Sequence, residues 1–215
     1  MSKTFWAIVT ILIIGLIIFL FINSKNKSNS SLNFNGDVNS IQEGDHYVGP
    51  KDAKVIVIEY GDYQCPSCKS WESKVEEFRA GMDSQTAFVF RNFPITTAHK
   101  NAFAAARAAE AAALQNKYWE MNSVIYKSQS DWDNSDNPQD VFAGYAKQLS
   151  LDTQKFNQDY EGSQVSDKIN FDRDLATKHK VEGTPTFFVN GVKLEGANTT
   201  GQDNPLSKAV KDLQK

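Results

Sequence analysis

Two cysteines, Cys65 and Cys68, are the only ones among the 215 residues of the chain, and they follow directly after an apolar segment. Residues 54–60 read KVIVIEY, a nearly continuous run of β-branched side chains that is typical of a strand buried on both faces. Pro66, between the cysteines, suits the first position of a helix, where its missing N–H costs nothing. The sequence therefore predicts a C-x-x-C pair at the point where a buried strand passes into a helix.

This placement gives the two sulfur atoms different chemistry. Free N–H groups and the positive end of the helix dipole favour a thiolate at Cys65, whereas Cys68 lies one turn further into the helix. Cys65 is therefore predicted to be the exposed nucleophile of thiol–disulfide exchange and Cys68 the resolving thiol. How acidic Cys65 becomes does not follow from the sequence.

Two other uses of the cysteine pair are less favoured. A zinc site would need a second pair of ligands, but His46, His99 and His179 are scattered along the chain, without the close spacing of such a pair. A structural disulfide across so short a loop would contribute little stability. Redox exchange is the remaining interpretation, and no metal or other cofactor is expected.

A membrane anchor is predicted at residues 1–22. Residues 5–22 carry no charge, and a helix of 18 residues is about 27 Å long, close to the thickness of the hydrocarbon core. No small-residue cleavage pattern follows, which favours an anchor over a cleaved signal peptide. The amino terminus and Lys3 on one side are balanced by Lys25 and Lys27 on the other, so charge gives no orientation. Because disulfides persist outside the cytoplasm, we expect a cytoplasmic N terminus and an extracytoplasmic C-terminal domain.

The rest of the chain divides into a tether and one domain. Of residues 23–40, 11 are Asn or Ser, a composition that predicts a flexible tether with a reach of about 25 Å. With 40% hydrophobic residues the chain can bury a core, and its length allows one domain or two small ones; the family resemblance given below implies one domain over residues 41–215. The formal net charge of -3 excludes the basic surplus of a nucleic-acid-binding protein.

Further patterns predict the elements of this domain. They are a strand at 86–92, an Ala-rich helical stretch at 98–125 with Phe103, Leu114, Trp119 and Met121 on its apolar face, helices near 138–149, 152–160 and 163–179, a hairpin around Asn190-Gly191, and a helix at 205–214. The block at about 98–160 is therefore predicted to be an all-helical insertion.

The acidic run at residues 131–140 resembles a calcium-binding loop only superficially. Its sixth position is Asp136 where such loops have Gly, and its twelfth is Phe142 where they have Glu. A solvated loop between helices is the favoured interpretation.

Taken together, YVGPKDAKVIVIEYGDYQCPSC and the later GTPTFFVNG resemble the DsbA-like branch of the thioredoxin superfamily, over residues 46–215. The resemblance implies an α/β, thioredoxin-like fold with an inserted all-helical subdomain. It also implies that Pro185 is cis and acts beside the cysteine pair, with Thr184, Pro66 and Ser67 on the same substrate-binding surface.

The resemblance assigns a further role to Glu59, which matches a buried acid of the family that carries a proton to or from the inner thiol, here Cys68. A strand-end carboxylate turned to solvent is the alternative. Ser67 departs from the histidine that many oxidants of the family have there, so the oxidising strength is left open.

The predicted function is a membrane-anchored, monomeric thiol:disulfide oxidoreductase on the extracytoplasmic side that oxidises cysteine pairs of exported proteins. The resemblance implies reoxidation by a membrane protein that passes electrons to quinone. A reductase or isomerase is the alternative within the same chemistry. A binding or metal-delivery module that uses the cysteines as soft ligands is the alternative from another class.

Overall fold

The computed structural model describes residues 37–195 and 204–214, and these ranges contain five strands and eight helices. In chain order they are β1 (His46–Val48), β2 (Val55–Gly61), α1 (Pro66–Ala80), β3 (Thr86–Asn92), α2 (Ala102–Ala113), α3 (Tyr118–Lys127), α4 (Gln129–Trp132), α5 (Pro138–Gln148), α6 (Thr153–Glu161), α7 (Ser163–Lys178), β4 (Thr186–Val189), β5 (Val192–Lys193) and α8 (Pro205–Leu213). The strand predicted at 86–92 is observed with the same bounds, and the segment predicted at 54–60 is β2.

The strands form a single sheet in the order β1-β3-β2-β4-β5. β2 and β3 run parallel, whereas β1 and β4 run antiparallel to their neighbours. Ile56, Ile58 and Tyr60 face a core shared with α7. Val55 and Val57 face a larger core shared with α1, α8 and the helical block. The two central strands are thus covered on both faces, as their continuous apolar pattern predicts.

The block predicted as a helical insertion at about 98–160 is helical and comprises α2 to α6. Its Ala-rich part, 98–125, forms two helices, because Asn116 has φ of 60° between α2 and α3, a conformation that a right-handed helix cannot continue through. Leu114 lies at this break and is exposed, which corrects its predicted place on the apolar face, whereas Met121 is fully buried. Helix propensity alone did not reveal the break.

The hairpin predicted around Asn190-Gly191 joins β4 and β5. Both residues have positive φ, 45° and 79°, which is the requirement of a tight type I′ turn. The Asn190 side chain accepts a hydrogen bond from the N–H of Ile56 at 2.8 Å and donates one to the carbonyl of Lys54 at 3.1 Å. These contacts fix the turn against the start of β2. The short elements β1 and α4 were not predicted from the sequence.

Residues 37–40, which the sequence placed in the tether, pack against the domain. Val38 is buried in the core beside α7, and the carbonyls of Asp37 and Ser40 accept hydrogen bonds from Arg91. The packed domain therefore extends to residues before 41.

Among residues 37–195 and 204–214, no helix is both long and apolar enough to cross a membrane. The predicted anchor at 1–22 and the tether up to residue 36 lie outside the described residues. Both stay predictions.

Candidate functional site

The cysteine pair lies at the junction between the end of β2 and the start of α1. Cys65 is the N-cap residue of α1 and Pro66 its first residue, as the sequence predicts. Pro66 and Ser67 are exposed beside Cys65. The exposed fraction is 8% for Cys65 and 1% for Cys68, so both are buried, which corrects the predicted exposure of Cys65; Cys65 remains the more accessible of the two.

The environment of Cys65 favours its thiolate. Its pKa is lowered to about 5, chiefly because the Cys68 thiol donates a hydrogen bond to its sulfur. The backbone N–H groups of Ser67 and Cys68 in the first helical turn act in the same direction, and partial burial acts against them. At neutral pH Cys65 is therefore ionised without a histidine at position 67.

Cys68 has the opposite character. Burial raises its pKa well above that of an ordinary thiol, and the hydrogen bond it gives to Cys65 and the charge of nearby Glu59 raise it further. The backbone N–H of Asp62, 3.5 Å from the sulfur, favours the thiolate of Cys68. Two neighbouring thiols thus differ widely in acidity.

Thr184 and Pro185 lie across from the cysteines. The bond between them is cis, as the family resemblance implies. The Cys65 sulfur lies 3.3 Å from the Thr184 carbonyl, to which it donates a hydrogen bond when protonated, and this contact brings residues 119 positions apart into one site. Thr184, Pro185, Pro66 and Ser67 are each at least partly accessible, so they border the surface around Cys65.

Glu59 is buried, with 3% of its surface exposed, and the alternative of a carboxylate turned to solvent is wrong. It lies on β2 between Phe90 of β3 and Phe187 of β4. Burial raises its pKa well above the ordinary value, and the charge of Glu72 adds to the shift. An acid with a raised pKa close to Cys68 can hold a proton at a pH where exposed carboxyls are ionised.

A second buried acid, Glu72, was not singled out from the sequence. It follows Cys68 by four residues on α1 and therefore lies on the same helix face. Burial and the charge of Glu76 raise its pKa to about 7. Its Oε1 atom has no hydrogen-bond partner in the described part of the chain. The spacing of four from Cys68 was the signal that could have identified it.

The loop before the cysteines is fixed by side chains that sequence reasoning also missed. Gln129 donates to the carbonyls of Tyr63 and Cys65 at 2.7 and 3.3 Å. Gln64 donates to the carbonyl of Asp133 and accepts from the backbone N–H of Asn101, each at 2.7 Å. These polar contacts attach the loop before Cys65 to the helical insertion. No local pattern in the sequence predicts them.

The acidic run at 131–140 is held by protein donors. The Asn101 side chain donates to the carbonyls of Trp132, Asp133 and Ser135, and Lys100 contacts the Asp136 carboxylate at 3.1 Å. Three backbone carbonyls and one carboxylate of this run are therefore engaged by protein donors. No group of three or more His, Cys, Asp or Glu residues suited to a metal ion occurs in residues 37–195 and 204–214.

A sequence profile of the thioredoxin family, Thioredoxin_4, matches residues 41–212. The chain belongs to the thioredoxin family. A thioredoxin-like oxidoreductase from Silicibacter pomeroyi DSS-3 is 26% identical, with a TM-score of 0.67 over 83% of this chain and 99% of that one. BdbD from Bacillus subtilis, in its oxidised form, is 23% identical, with a TM-score of 0.69 over 80% and 95%. The alpha-DsbA1 protein from Wolbachia pipientis is 22% identical, with a TM-score of 0.68 over 81% of this chain and 92% of that one. The chain thus has a thioredoxin-like fold in common with these DsbA-like structures, and its two cysteines lie at the start of a helix as thiol–disulfide exchange requires.

Curated relatives of this thioredoxin-family chain include much longer proteins. The Na(+)/H(+) antiporter NhaA 1 of Mycolicibacterium vanbaalenii is 38% identical over 154 residues, which are 71% of this chain and 24% of the antiporter. The antiporter NhaA of Herminiimonas arsenicoxydans is 32% identical over 155 residues, again 24% of its length. The chain therefore spans about a quarter of these relatives, and antiport is named for those longer proteins alone.

Proposed function

We propose that this protein is a membrane-anchored dithiol oxidase that introduces disulfides into exported proteins through Cys65 and Cys68. The observation that carries the proposal is the pKa of Cys65, lowered to about 5, beside a Cys68 whose pKa is raised by burial. A thiolate stabilised at neutral pH favours the reduced enzyme. The disulfide form is correspondingly ready to accept electrons.

The reaction follows from the accessibility of the two sulfur atoms. A substrate thiolate attacks the Cys65 sulfur of the Cys65–Cys68 disulfide, a new sulfur–sulfur bond forms, and Cys68 leaves with the electron pair of the broken bond. The second substrate thiolate attacks the substrate sulfur of this mixed disulfide and expels Cys65 as a thiolate. The substrate is oxidised by two electrons and the enzyme is reduced by two.

The residues around the pair receive proposed roles. Thr184, Pro185, Pro66 and Ser67 form the surface on which the substrate backbone lies, because they border Cys65 and are accessible. Glu59 supplies or removes the proton of Cys68, which is shut off from solvent. The family resemblance supports both assignments.

The reduction potential separates an oxidase from the reductase alternative. We expect a redox titration of the Cys65/Cys68 pair against glutathione to give a potential above about −200 mV, on the side of protein disulfide isomerase and DsbA. A value near about −270 mV, as in thioredoxin, would instead indicate a reductase. A binding or metal-delivery module would leave a dithiol peptide reduced when mixed with the oxidised protein, whereas the oxidase converts one equivalent.

Localisation and reoxidation are part of the proposal. Residues 1–22 would hold the domain at the extracytoplasmic face of the membrane, close to a membrane protein that passes electrons to quinone. We expect external protease to digest the domain in intact cells or spheroplasts, while a cytoplasmic marker protein is spared. Protection of the domain until the membrane is permeabilised would contradict this topology.

Replacement of Glu59 tests its proposed role in proton transfer. Glu59→Gln keeps the shape and removes the titration, so we expect the opening of the enzyme disulfide to slow and its pH profile to differ from that of wild type between about pH 5 and 8. Because the folded protein holds the Glu59 proton more tightly than the unfolded chain, wild-type stability should fall as pH rises through this range. The variant should gain stability over wild type there. Superimposable rate profiles would contradict the role in proton transfer.

A further inference from the structure

Asp62 lies at the end of β2, three residues before Cys65, and only 1% of its surface is exposed. Its carboxylate accepts hydrogen bonds from the backbone N–H of Gln64 at 2.8 Å and from that of Ile95 at 2.8 Å. It also contacts Nδ1 of His99 at 2.7 Å. A buried carboxylate with three such partners is fixed in place, and it fixes the backbone that bears it.

Both backbone groups of Asp62 touch the cysteine pair. Its carbonyl accepts a hydrogen bond from the N–H of Cys65 at 3.1 Å, and its own N–H lies 3.5 Å from the Cys68 sulfur. Cys68 is almost completely buried, so water gives its thiolate little stabilisation. The N–H of Asp62 is therefore a donor on which the departing Cys68 depends.

His99 contacts the buried Asp62 carboxylate from the solvent side. It belongs to the segment just before α2, and 20% of its side chain is exposed while that of Asp62 is fully buried. The next two residues in the sequence, Lys100 and Asn101, instead donate hydrogen bonds to the 131–140 loop. The hydrogen bond of His99 is made to the Asp62 carboxylate and not to a sulfur atom, so any influence on the cysteines passes through Asp62.

We propose that His99 is a positioning residue for the resolving cysteine: by donating to the Asp62 carboxylate it holds the Asp62 N–H at the Cys68 sulfur. The inference rests on the proposed function. When a substrate thiolate bonds to Cys65, the Cys65–Cys68 bond breaks and its electron pair stays on Cys68. The Asp62 N–H donates to the thiolate so formed, and no proton moves through His99.

The test compares four variants of the full chain in detergent, oxidised at the cysteine pair. The measured quantity is the rate at which glutathione opens the disulfide. His99→Ala removes the donor to Asp62 and should slow opening about tenfold, the effect of one hydrogen bond in the transition state. His99→Asn puts an amide N–H near the place of Nδ1 and should stay within about twofold of wild type. Should the alanine variant fail to fold, His99→Gln, whose amide extends beyond that place, serves as the loss variant.

A second readout excludes general damage to the loop. Alkylation of reduced Cys65 by iodoacetamide does not require Cys68 to leave, so its rate should be the same in wild type and His99→Ala. Lys100→Ala is the matched control, because its exposed ammonium contacts Asn134 and Asp136. It should change neither rate.

Three results would overturn the inference: equal opening rates for wild type and His99→Ala, an asparagine variant as slow as the alanine variant, or equal slowing of alkylation and opening. If glutathione fails to open the wild-type disulfide at all, the proposed function itself fails. The two failures are therefore distinguishable.

Discussion

Cys65→Ser is expected to abolish thiol–disulfide exchange, because it removes the more accessible of the two cysteine sulfurs and the thiolate that acts as nucleophile and leaving group. The thiolate absorbance of the reduced protein near 240 nm should show a titration with a midpoint at about pH 5 in wild type, and none in this range in the variant. Activity is measured as oxidation of a peptide with two cysteines. Residual turnover above the uncatalysed rate would contradict the assignment of Cys65.

Variants of Cys68 should show separately how Cys68 resolves mixed disulfides and how it lowers the pKa of Cys65. Cys68→Ala leaves Cys65 able to form mixed disulfides that cannot be resolved from within, so substrate adducts should accumulate and be released by dithiothreitol. The variant also removes the hydrogen bond that contributes most to the lowered pKa of Cys65, so the titration midpoint should rise above pH 5. Cys68→Ser restores a hydroxyl donor and should return part of that shift.

The comparison of trapping between the two cysteines is the decisive control. With 1% exposed surface, Cys68 should yield few adducts in Cys65→Ser under conditions where Cys68→Ala yields many. Equal adduct yields would show that either sulfur can be attacked. The distinction between nucleophile and resolving thiol would then be wrong.

Asp45→Asn is expected to lower the free energy of unfolding by about 3–5 kcal/mol, the usual cost of breaking a buried ion pair by removing one charge. Asp45 contacts Arg91 through two hydrogen bonds, at 2.7 and 3.1 Å, and both side chains are fully buried. The asparagine would leave the guanidinium in the protein interior without its counter-charge. Thermal or urea-induced unfolding of the detergent-solubilised protein measures the change.

An exposed ion pair supplies the matched control for this stability prediction. Lys117 and Glu120 contact each other at 2.7 Å with 41% and 46% of their side chains exposed. Lys117→Ala should therefore cost less than about 1 kcal/mol. If both variants lowered the free energy of unfolding by a similar amount, the buried Asp45–Arg91 pair would contribute no more to stability than an exposed ion pair.

The sequence could predict those site residues that lie close together along the chain. Cys65, Pro66 and Cys68 form a continuous motif next to a buried strand, and the structure places them at the start of α1 as predicted. Glu59 was found because it matches a family position, and its burial follows from the apolar residues around it in β2. Glu72 was missed, although its spacing of four from Cys68 was visible.

Partners distant in sequence could not be predicted. His99 is 37 residues from Asp62, and Gln129 is 66 from Tyr63. Their side chains are ordinary polar residues in helical or loop segments, with no periodicity that marks them. Asp45 and Arg91 are 46 residues apart, and nothing in the sequence indicates that both would be fully buried.

The sequence by itself determined the order of the main elements, the hairpin turn and the position of the cysteine pair at a helix N terminus, because hydrophobic periodicity, Pro and Asn-Gly act over a few residues. The tertiary structure alone decided how acidic each sulfur is. The hydrogen bond from Cys68 lowers the pKa of Cys65, whereas burial, that same hydrogen bond and the charge of Glu59 raise the pKa of Cys68. These distances and this exclusion of water exist only when the sheet, α1 and the helical insertion have packed together.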